Sequence, residues 1–315
     1  METRYLKTLV KAGETGSFSK VAVELHITQS AVSQRIKFLE EFFGHQLLDR
    51  SGATLVPTDA GAKVISSSRK ILQLEKALHQ ELKRLEGEKR ISLGCTPTFG
   101  TAYLPKVLNA FILQHADLAD FKFTFHTPLQ ALRGLEQNDF DLAVVEHCGD
   151  LDLKTLRTLE LPQDELVFIS ASRLGIEVGV TPLASLLPHR IFVRKDGCSS
   201  LQILKGNLSS QGHDLEEFGG VITSDDFRLT IQTVVTGGGI SFMSRSLVKS
   251  YLDSGELLAH HVEGFNHFRR RTAALNVRKE MDFILQEFIR CIYSVFDPKE
   301  LATIDSDSGC MRPGR

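Results

Sequence analysis

The chain has 315 residues, 42% of them hydrophobic and 24% charged, with a formal net charge of −2 at neutral pH. That length exceeds what one hydrophobic core usually serves, and the average composition excludes a fibrous or largely disordered protein, so about two or three globular domains are expected. No uncharged apolar run reaches the roughly 18 to 20 residues of a bilayer span, and Cys95, Cys148, Cys198, Cys291 and Cys310 form no CxxC pair, so a cytoplasmic protein without membrane, disulfide framework or zinc ribbon is expected.

Apolar residues Tyr5, Leu6, Leu9, Val10 and Ala12 recur at helical spacing until Gly13-Glu14-Thr15-Gly16 breaks the pattern. A second helix is predicted from an N-cap at Ser17 to about His26, burying Val21, Ala22 and Leu25. Thr28 then caps a third, with Ala31, Val32, Ile36 and Leu39 on its inner face. Two helices across so short a turn form a helix-turn-helix. Away from the apolar stripe stand Gln29, Ser30, Ser33, Gln34 and Lys37, with Arg35 at the flank. These side chains suit base edges and phosphates, although an ordinary solvated helix face has the same composition. Leu47 to Val56 reads as two short strands around a turn, which is a wing. The negative total charge argues weakly against a nucleic-acid binder, but one basic face suffices.

From Thr58 the pattern is helical to about Glu86 and stops at Gly87. Ile71, Leu74, Leu78, Leu82 and Leu85 fall at alternating steps of three and four, a coiled-coil seam. A helix packed on its own domain is the alternative, but the polar outer face suits a partner helix better.

Strands and helices then alternate: strand Ile91–Gly94, helix Phe99–Gln114, strand Phe121–His126, helix Leu129–Gln137 and strand Phe140–Glu146. A second set has strands near Glu165–Ser170, Ile191–Val193 and Ile240–Ser244 and a helix Asp226–Thr236, before strand Arg271–Val277 and helix Met281–Phe296. Such alternation predicts an α/β domain with a largely parallel sheet. Residues Glu300 to Arg315 are expected to be a disordered tail.

The chain resembles the LysR-type transcriptional regulators over about residues 1 to 296. The resemblance rests on Gly16-Ser17-Phe18, Ala22 with Leu25, Thr28-Gln29-Ser30-Ala31-Val32-Ser33, Leu39-Glu40, Phe43-Gly44, Leu47-Leu48-Asp49-Arg50 and Thr58-Asp59-Ala60-Gly61. Ser30, Leu48 and Pro57 depart from the family's usual Pro, Phe and Leu, and the wing lacks an arginine that many members carry. The implied fold is an N-terminal all-α winged helix-turn-helix (1–58) plus linker helix (59–87) and a C-terminal α/β two-lobed effector domain (88–298), similar to periplasmic binding proteins. Lobe one is expected at about 88–161 and 267–298, lobe two at about 162–266, with crossings near Leu159–Gln163 and Gly264–Phe268 and the tail from 299.

The resemblance implies a transcription regulator whose Thr28, Gln29, Ser30, Ser33, Gln34, Arg35, Lys37, Arg50 and Thr58 contact double-stranded DNA. Two copies joined through the linker helix would read an inverted-repeat operator, as a homodimer or homotetramer, with RNA polymerase a further candidate partner. Ligands of two-lobed α/β folds lie at strand ends facing helix N-termini. Thr96 and Thr98, Thr127, Ser199 and Ser200 in Gly197-Cys198-Ser199-Ser200, and Thr223 are therefore candidate contacts for a small anionic effector, a carboxylate. Helix capping is the blander role for each, for Thr223-Ser224 above all.

No catalytic residue, metal or cofactor is expected. The Gly237-Gly238-Gly239 run follows a helix and precedes a strand, opposite to a dinucleotide loop, and the histidines lack metal-ligand spacing. Asp196-Gly197-Cys198 resembles the surroundings of the reactive cysteine in peroxide-sensing members, so a thiol-based sensor is an alternative. Gly206-Asn207-Leu208 stands where those place the resolving thiol. A non-regulatory solute-binding protein is a further alternative, but it would need an export signal.

Overall fold

In the computed structural model the described residues are 2–52, 54–85, 89–116, 118–149, 151, 153, 156–277 and 282–301. Gly87 and the predicted tail beyond residue 301 lie outside them. The chain divides into two compact units, Met1–Glu88 and Lys89–Arg315. No helix among the described residues is long and apolar enough to cross a membrane.

In the first unit, helix α1 (Thr3–Thr15) stops at Gly16, whose φ of 63° favours glycine. Helix α2 (Phe18–Glu24) is shorter than expected, because His26 takes a left-handed φ of 52° and ends the helical path early. Ser17 holds the N-cap position of α2 without a side-chain cap bond. Thr28 does cap α3 (Gln29–Phe43), its Oγ1 accepting from the Ala31 N–H at 3.2 Å. Leu6, Leu9, Ala12, Val21, Val32, Ile36 and Leu39 close the core of this three-helix cluster. The wing pairs β1 (Leu48–Asp49) antiparallel with β2 (Val56–Pro57).

Helix α4 (Asp59–Leu85) follows. Its first turn lies so close to the wing that a Cβ at Gly61 would collide with the Leu47 carbonyl. Ile65 is buried in the same core, with Ala60, Val64 and Leu72 packed beside it. Ile71, Leu74 and Leu78 instead remain 40%, 62% and 55% exposed. The Leu82 and Leu85 side chains lie outside the described residues.

The second unit is built from β3 (Lys89–Cys95), α5 (Pro97–Ala102), α6 (Leu104–Gln114), β4 (Leu118–Phe125), α7 (Pro128–Glu136), β5 (Leu142–His147) and the long β6 (Leu156–Ala171). Beyond it come β7 (Gly179–Val180), α8 (Leu183–Leu186), β8 (Ile191–Val193), α9 (Ser199–Ser210), β9 (Val221–Thr223) and α10 (Phe227–Val235). The unit closes with β10 (Ile240–Ser244), α11 (Arg245–Asp253), β11 (Leu257–His261), β12 (Phe268–Asn276), α12 (Phe283–Ser294) and α13 (Pro298–Leu301). The single helix expected over 99–114 is two, because Pro105 lacks the N–H that would continue α5 and instead starts α6. The predicted tail is corrected at its start, since Pro298–Leu301 is helical.

Hydrogen-bonded neighbours run β4-β3-β5-β12-β6-β10-β8-β9 among the described residues. Strands β4, β3 and β5 are parallel, as are β10, β8 and β9, while β12 and β6 run antiparallel between them. Strand β6 passes unbroken through both lobes: Leu159 and Leu161 belong to the first core, Leu166 and Phe168 to the second. The return crossing is at the start of β12, where Phe268 and Arg269 pair with Glu165 and Asp164. Helix α12 packs in the first core through Leu285, Phe288, Ile289 and Ile292. Both lobes thus present the carboxyl ends of parallel strands, and the N-termini of α5, α7, α9 and α10, to one region.

Candidate functional site

The outer face of α3 is set by its capping and its apolar stripe. With Val32, Ile36 and Leu39 inward, Gln29, Ser30, Gln34 and Lys37 are exposed and Ser33 is half-buried. Several members of the face already have protein partners. Ser30 Oγ lies 2.9 Å from Thr28 Oγ1, Gln29 Oε1 accepts from Ser19 Oγ at 3.3 Å, and Lys37 sits 3.7 Å from Glu41. Arg35 folds back onto α1, donating to Thr8 Oγ1 at 3.2 Å with its guanidinium 5.9 Å from the Tyr5 ring centre. Arg50 donates to Glu40 at 2.8 Å and lies over Phe18. The Thr58 hydroxyl donates to the Gln46 carbonyl at 2.7 Å and accepts from the Gly61 N–H at 3.0 Å, so it caps α4. Gln34 and Ser33 have no side-chain bond among the described residues and stand as the free polar groups of this face.

In the second unit a cleft of about 620 Å³ opens between the lobes. Phe125, Thr127 and Gln130 line it from lobe one, and Arg194, Lys195, Cys198, Phe227 and Arg228 from lobe two. Asp225 ties Arg194 at 2.9 Å and Lys195 at 2.6 Å. Burial pushes the Asp225 carboxyl up, but its hydrogen bonds from Lys195 and Arg194 outweigh this and hold it below the usual carboxylate range. Asp226 is occupied in capping α10, accepting from the Leu229 N–H at 3.0 Å. Arg228 has no side-chain partner among the described residues. The wall is therefore cationic, with the Arg194 guanidinium 4.3 Å from the Phe227 ring centre.

Below this cleft lies a buried ionic network. Arg269 and Arg271 project to one face of β12, two residues apart. Arg271, directly opposite Glu146 in the sheet, donates to it at 3.0 Å, to the Pro162 carbonyl at 2.9 Å and to Asp164 at 2.7 Å. Arg269 donates to Asp164 at 2.8 Å, to Ser199 Oγ at 2.7 Å and to Thr98 Oγ1 at 3.1 Å. Ser199 Oγ in turn donates to the Glu146 carbonyl at 2.9 Å, Ser244 Oγ to Asp164 at 2.6 Å, and Thr96 Oγ1 to the Glu146 carboxylate. The four charged side chains are at most 4% exposed. Burial pushes the Asp164 carboxyl up, but the Arg269 and Arg271 guanidiniums outweigh it and hold it below the usual carboxylate range. Burial likewise lowers Arg271, and Asp164 and Glu146 more than restore it.

The effector-site expectations divide accordingly. Thr127 reaches the cleft wall, though its hydroxyl also donates to Gln130 Oε1 at 3.1 Å. Thr96, Thr98 and Ser199 are buried, with their hydroxyls bonded within the network, and Thr98 also lines a narrow cavity beside the cleft. Ser200 is buried beside a narrow cavity next to the cleft. Thr223 is exposed on edge strand β9, away from the cleft lining, and the capping role foreseen for Thr223-Ser224 falls to Asp226. Cys198 lines the cleft, but burial pushes its thiol up against the opposing pull of Arg194, which disfavours the thiolate a peroxide sensor needs.

A sequence model described as the LysR substrate binding domain matches residues 85–297, and one described as a bacterial regulatory helix-turn-helix protein of the LysR family matches residues 3–62. The chain belongs to the LysR family. It is similar to an uncharacterized HTH-type transcriptional regulator of Methanocaldococcus jannaschii, at 27% identity over 80% of this chain and 84% of that one. It is also similar to the glycine cleavage system transcriptional activator homolog of Haemophilus influenzae, at 27% identity over 81% of each. Among solved structures, that of CbnR, a LysR family transcriptional regulator, superposes with a TM-score of 0.60 at 18% identity, covering 94% of this chain and all of that one. The chain is thus a LysR-family transcriptional regulator with a DNA-binding helix-turn-helix and an effector-binding domain.

Within this LysR chain, sequence reasoning missed the cationic wall of Arg194, Lys195 and Arg228 and the buried network. The Arg-Arg-Arg run at 269–271, inside an otherwise apolar strand pattern, was the available signal for the latter.

Proposed function

We propose that the chain controls transcription by binding an inverted-repeat operator through α3 of two copies, with occupancy set by a small organic anion in the cleft between the lobes of residues 88–298. The observation carrying the effector half is the cleft wall: Arg194 and Lys195 follow the carboxyl end of β8, and Arg228, in the first turn of α10, has no protein partner among the described residues. A carboxylate there gains charge-assisted hydrogen bonds from the Arg228 guanidinium, beside Arg194 and Lys195 that Asp225 holds in place. Thr127 and Gln130 add neutral polar groups, and Phe125 and Phe227 an apolar surface for the ligand's body.

The DNA half rests on Gln34, Ser33, Gln29 and Lys37 on one face of α3, and on an exposed helix N-terminus that favours a phosphate. Exposed Ile71, Leu74 and Leu78 on α4 support a homodimer joined through that helix, which would space two such faces. The ligand acts by preferring one lobe arrangement over another.

Two experiments test the halves separately. A chain lacking residues 1 to 60 is expected to lose all gel retardation of its operator, and retained binding overturns the DNA assignment. A thermal-shift panel is expected to show stabilisation by small carboxylates, lost in Arg194→Ala/Arg228→Ala. Stabilisation by neutral compounds alone overturns the anionic effector.

A further inference from the structure

From Leu47 to Pro57 the wing has Asp49 and Arg50 as its charged residues. The Arg50 guanidinium is turned back onto the protein: it donates to Glu40 Oε2 at 2.8 Å and lies 5.4 Å from the Phe18 ring centre. We propose that Glu40, on α3, is a positioning residue that withholds Arg50 from DNA phosphates, so that sequence-independent contacts carry a smaller share of the chain's affinity for DNA.

The Glu40 carboxylate divides its oxygens between two tasks. Oε1 accepts from the Leu47 N–H at 3.0 Å and the Leu48 N–H at 3.3 Å, while Oε2 takes Arg50. The Glu40 side chain is only 16% exposed, against 42% for Arg50. The chain it grips is also fixed from the other side, since the Leu47 carbonyl accepts from the Thr58 N–H at 3.0 Å and the Thr58 hydroxyl donates to the Gln46 carbonyl at 2.7 Å. The carboxylate therefore cannot follow Arg50 outward, and a phosphate that met Arg50 in place would approach a fixed negative charge. Asp49 adds a second one, its carboxylate held in the wing by the Ser51 N–H at 2.8 Å.

A cation that neutralises a phosphate releases counterions and adds affinity whatever the base sequence. With Arg50 paired, that gain is forgone, and recognition falls to the groups on the outer face of α3. An ion pair near the surface is weak by itself; the two backbone N–H groups on Glu40 supply the anchoring that an isolated pair lacks. The proposal rests on DNA binding through residues 1 to 60. Operator retardation by a chain lacking them would sink that reading, whereas the comparison of variants below bears on Glu40 alone.

Fluorescence anisotropy of the full chain on operator and on a non-operator duplex, across a potassium chloride series, tests the proposal. Glu40→Gln keeps an oxygen for the Leu47 and Leu48 N–H groups but offers Arg50 no charged acceptor. It is expected to steepen the fall of log affinity with log salt by about 1 per copy and to tighten non-operator binding about tenfold near about 0.1 M salt. Glu40→Gln/Arg50→Gln, which restores the native net charge, is expected to cancel both gains. The proposal is overturned by an unchanged or shallower slope in a folded Glu40→Gln chain, by a gain that survives in the double variant, or by an equal gain in Asp49→Asn, which would show that net charge alone is responsible. If Glu40→Gln does not fold, the native chain supplies the measurement: with isotope-labelled arginine, the Arg50 Nε–H resonance is expected to stay in place when the non-operator duplex is added, and a shift overturns the proposal.

Discussion

Arg271 and Glu146 have lost all contact with water, and Asp164 nearly all. Removing such ions from water costs several kcal/mol each, offset only when every partner is present. Here the guanidinium of Arg271 meets two carboxylates and a carbonyl, so deleting one partner leaves charge uncompensated. Glu146→Gln is expected to destabilise the effector unit by about 3 kcal/mol, read from urea unfolding; a loss under about 0.5 kcal/mol would mean the network relaxes or admits water. Asp164 adds a pH dependence. Its folded carboxyl is held below the unfolded value, so its stabilisation is complete above the ordinary carboxylate range and is lost as pH falls through the lowered folded value. The difference in Tm between the native chain and Asp164→Asn should therefore narrow as pH is taken below about 4. A difference independent of pH would remove the claim. The sequence showed these residues but not their partnership: Arg271 and Glu146 stand 125 positions apart, and only the strand pairing brings them opposite. The buried arginine that Thr98 and Ser199 share was hidden for a related reason, since a hydroxyl near a helix N-terminus looks the same in sequence whether it faces a ligand or a buried arginine.

At the scale of elements, local patterning was the reliable guide. The apolar period of three and four placed α1, α3 and α4, and the βα alternation placed β3, β5, β8 and β10. It failed where a backbone detail overrode the period. Pro105 split one expected helix into α5 and α6, the left-handed His26 shortened α2, and the strand expected near Glu165–Ser170 begins already at Leu156, running through the crossing expected near Leu159–Gln163. The α4 stripe has the most direct consequence. Its apolar side chains at positions 71, 74 and 78 are 40% to 62% exposed, so a partner surface gains their burial. Leu74→Asp/Leu78→Asp is expected to sediment as a monomer and to bind operator at least about a hundredfold more weakly, through lost avidity. Sedimentation velocity and gel retardation on one preparation check this; a monomer with undiminished operator affinity would refute the role given to the helix.

For the whole molecule, the distribution of charge matters more than its total of −2. Arg35 and Arg50, the arginines expected to contact DNA, are drawn onto Thr8 and Glu40, and Lys37 lies near Glu41. Each phosphate contact releases counterions and steepens the fall of log affinity with log salt by about 0.9. The operator complex is accordingly expected to have a shallow salt dependence, with a slope magnitude below about 4 per dimer. Gel retardation across a potassium chloride series measures it, and a slope near about 8 or more would show that these arginines leave their protein partners on binding.

Arg269 is donor to both lobes and to the strand that joins them, with its side chain only 4% exposed. Opening a path for solvent to one lobe therefore breaks contacts that the other lobe also depends on. The lobes should then melt as one cooperative block, and the amides of the crossing segments should exchange with deuterium only on the timescale of global unfolding. In Arg269→Met that block should divide, with one lobe losing its exchange protection well before the other.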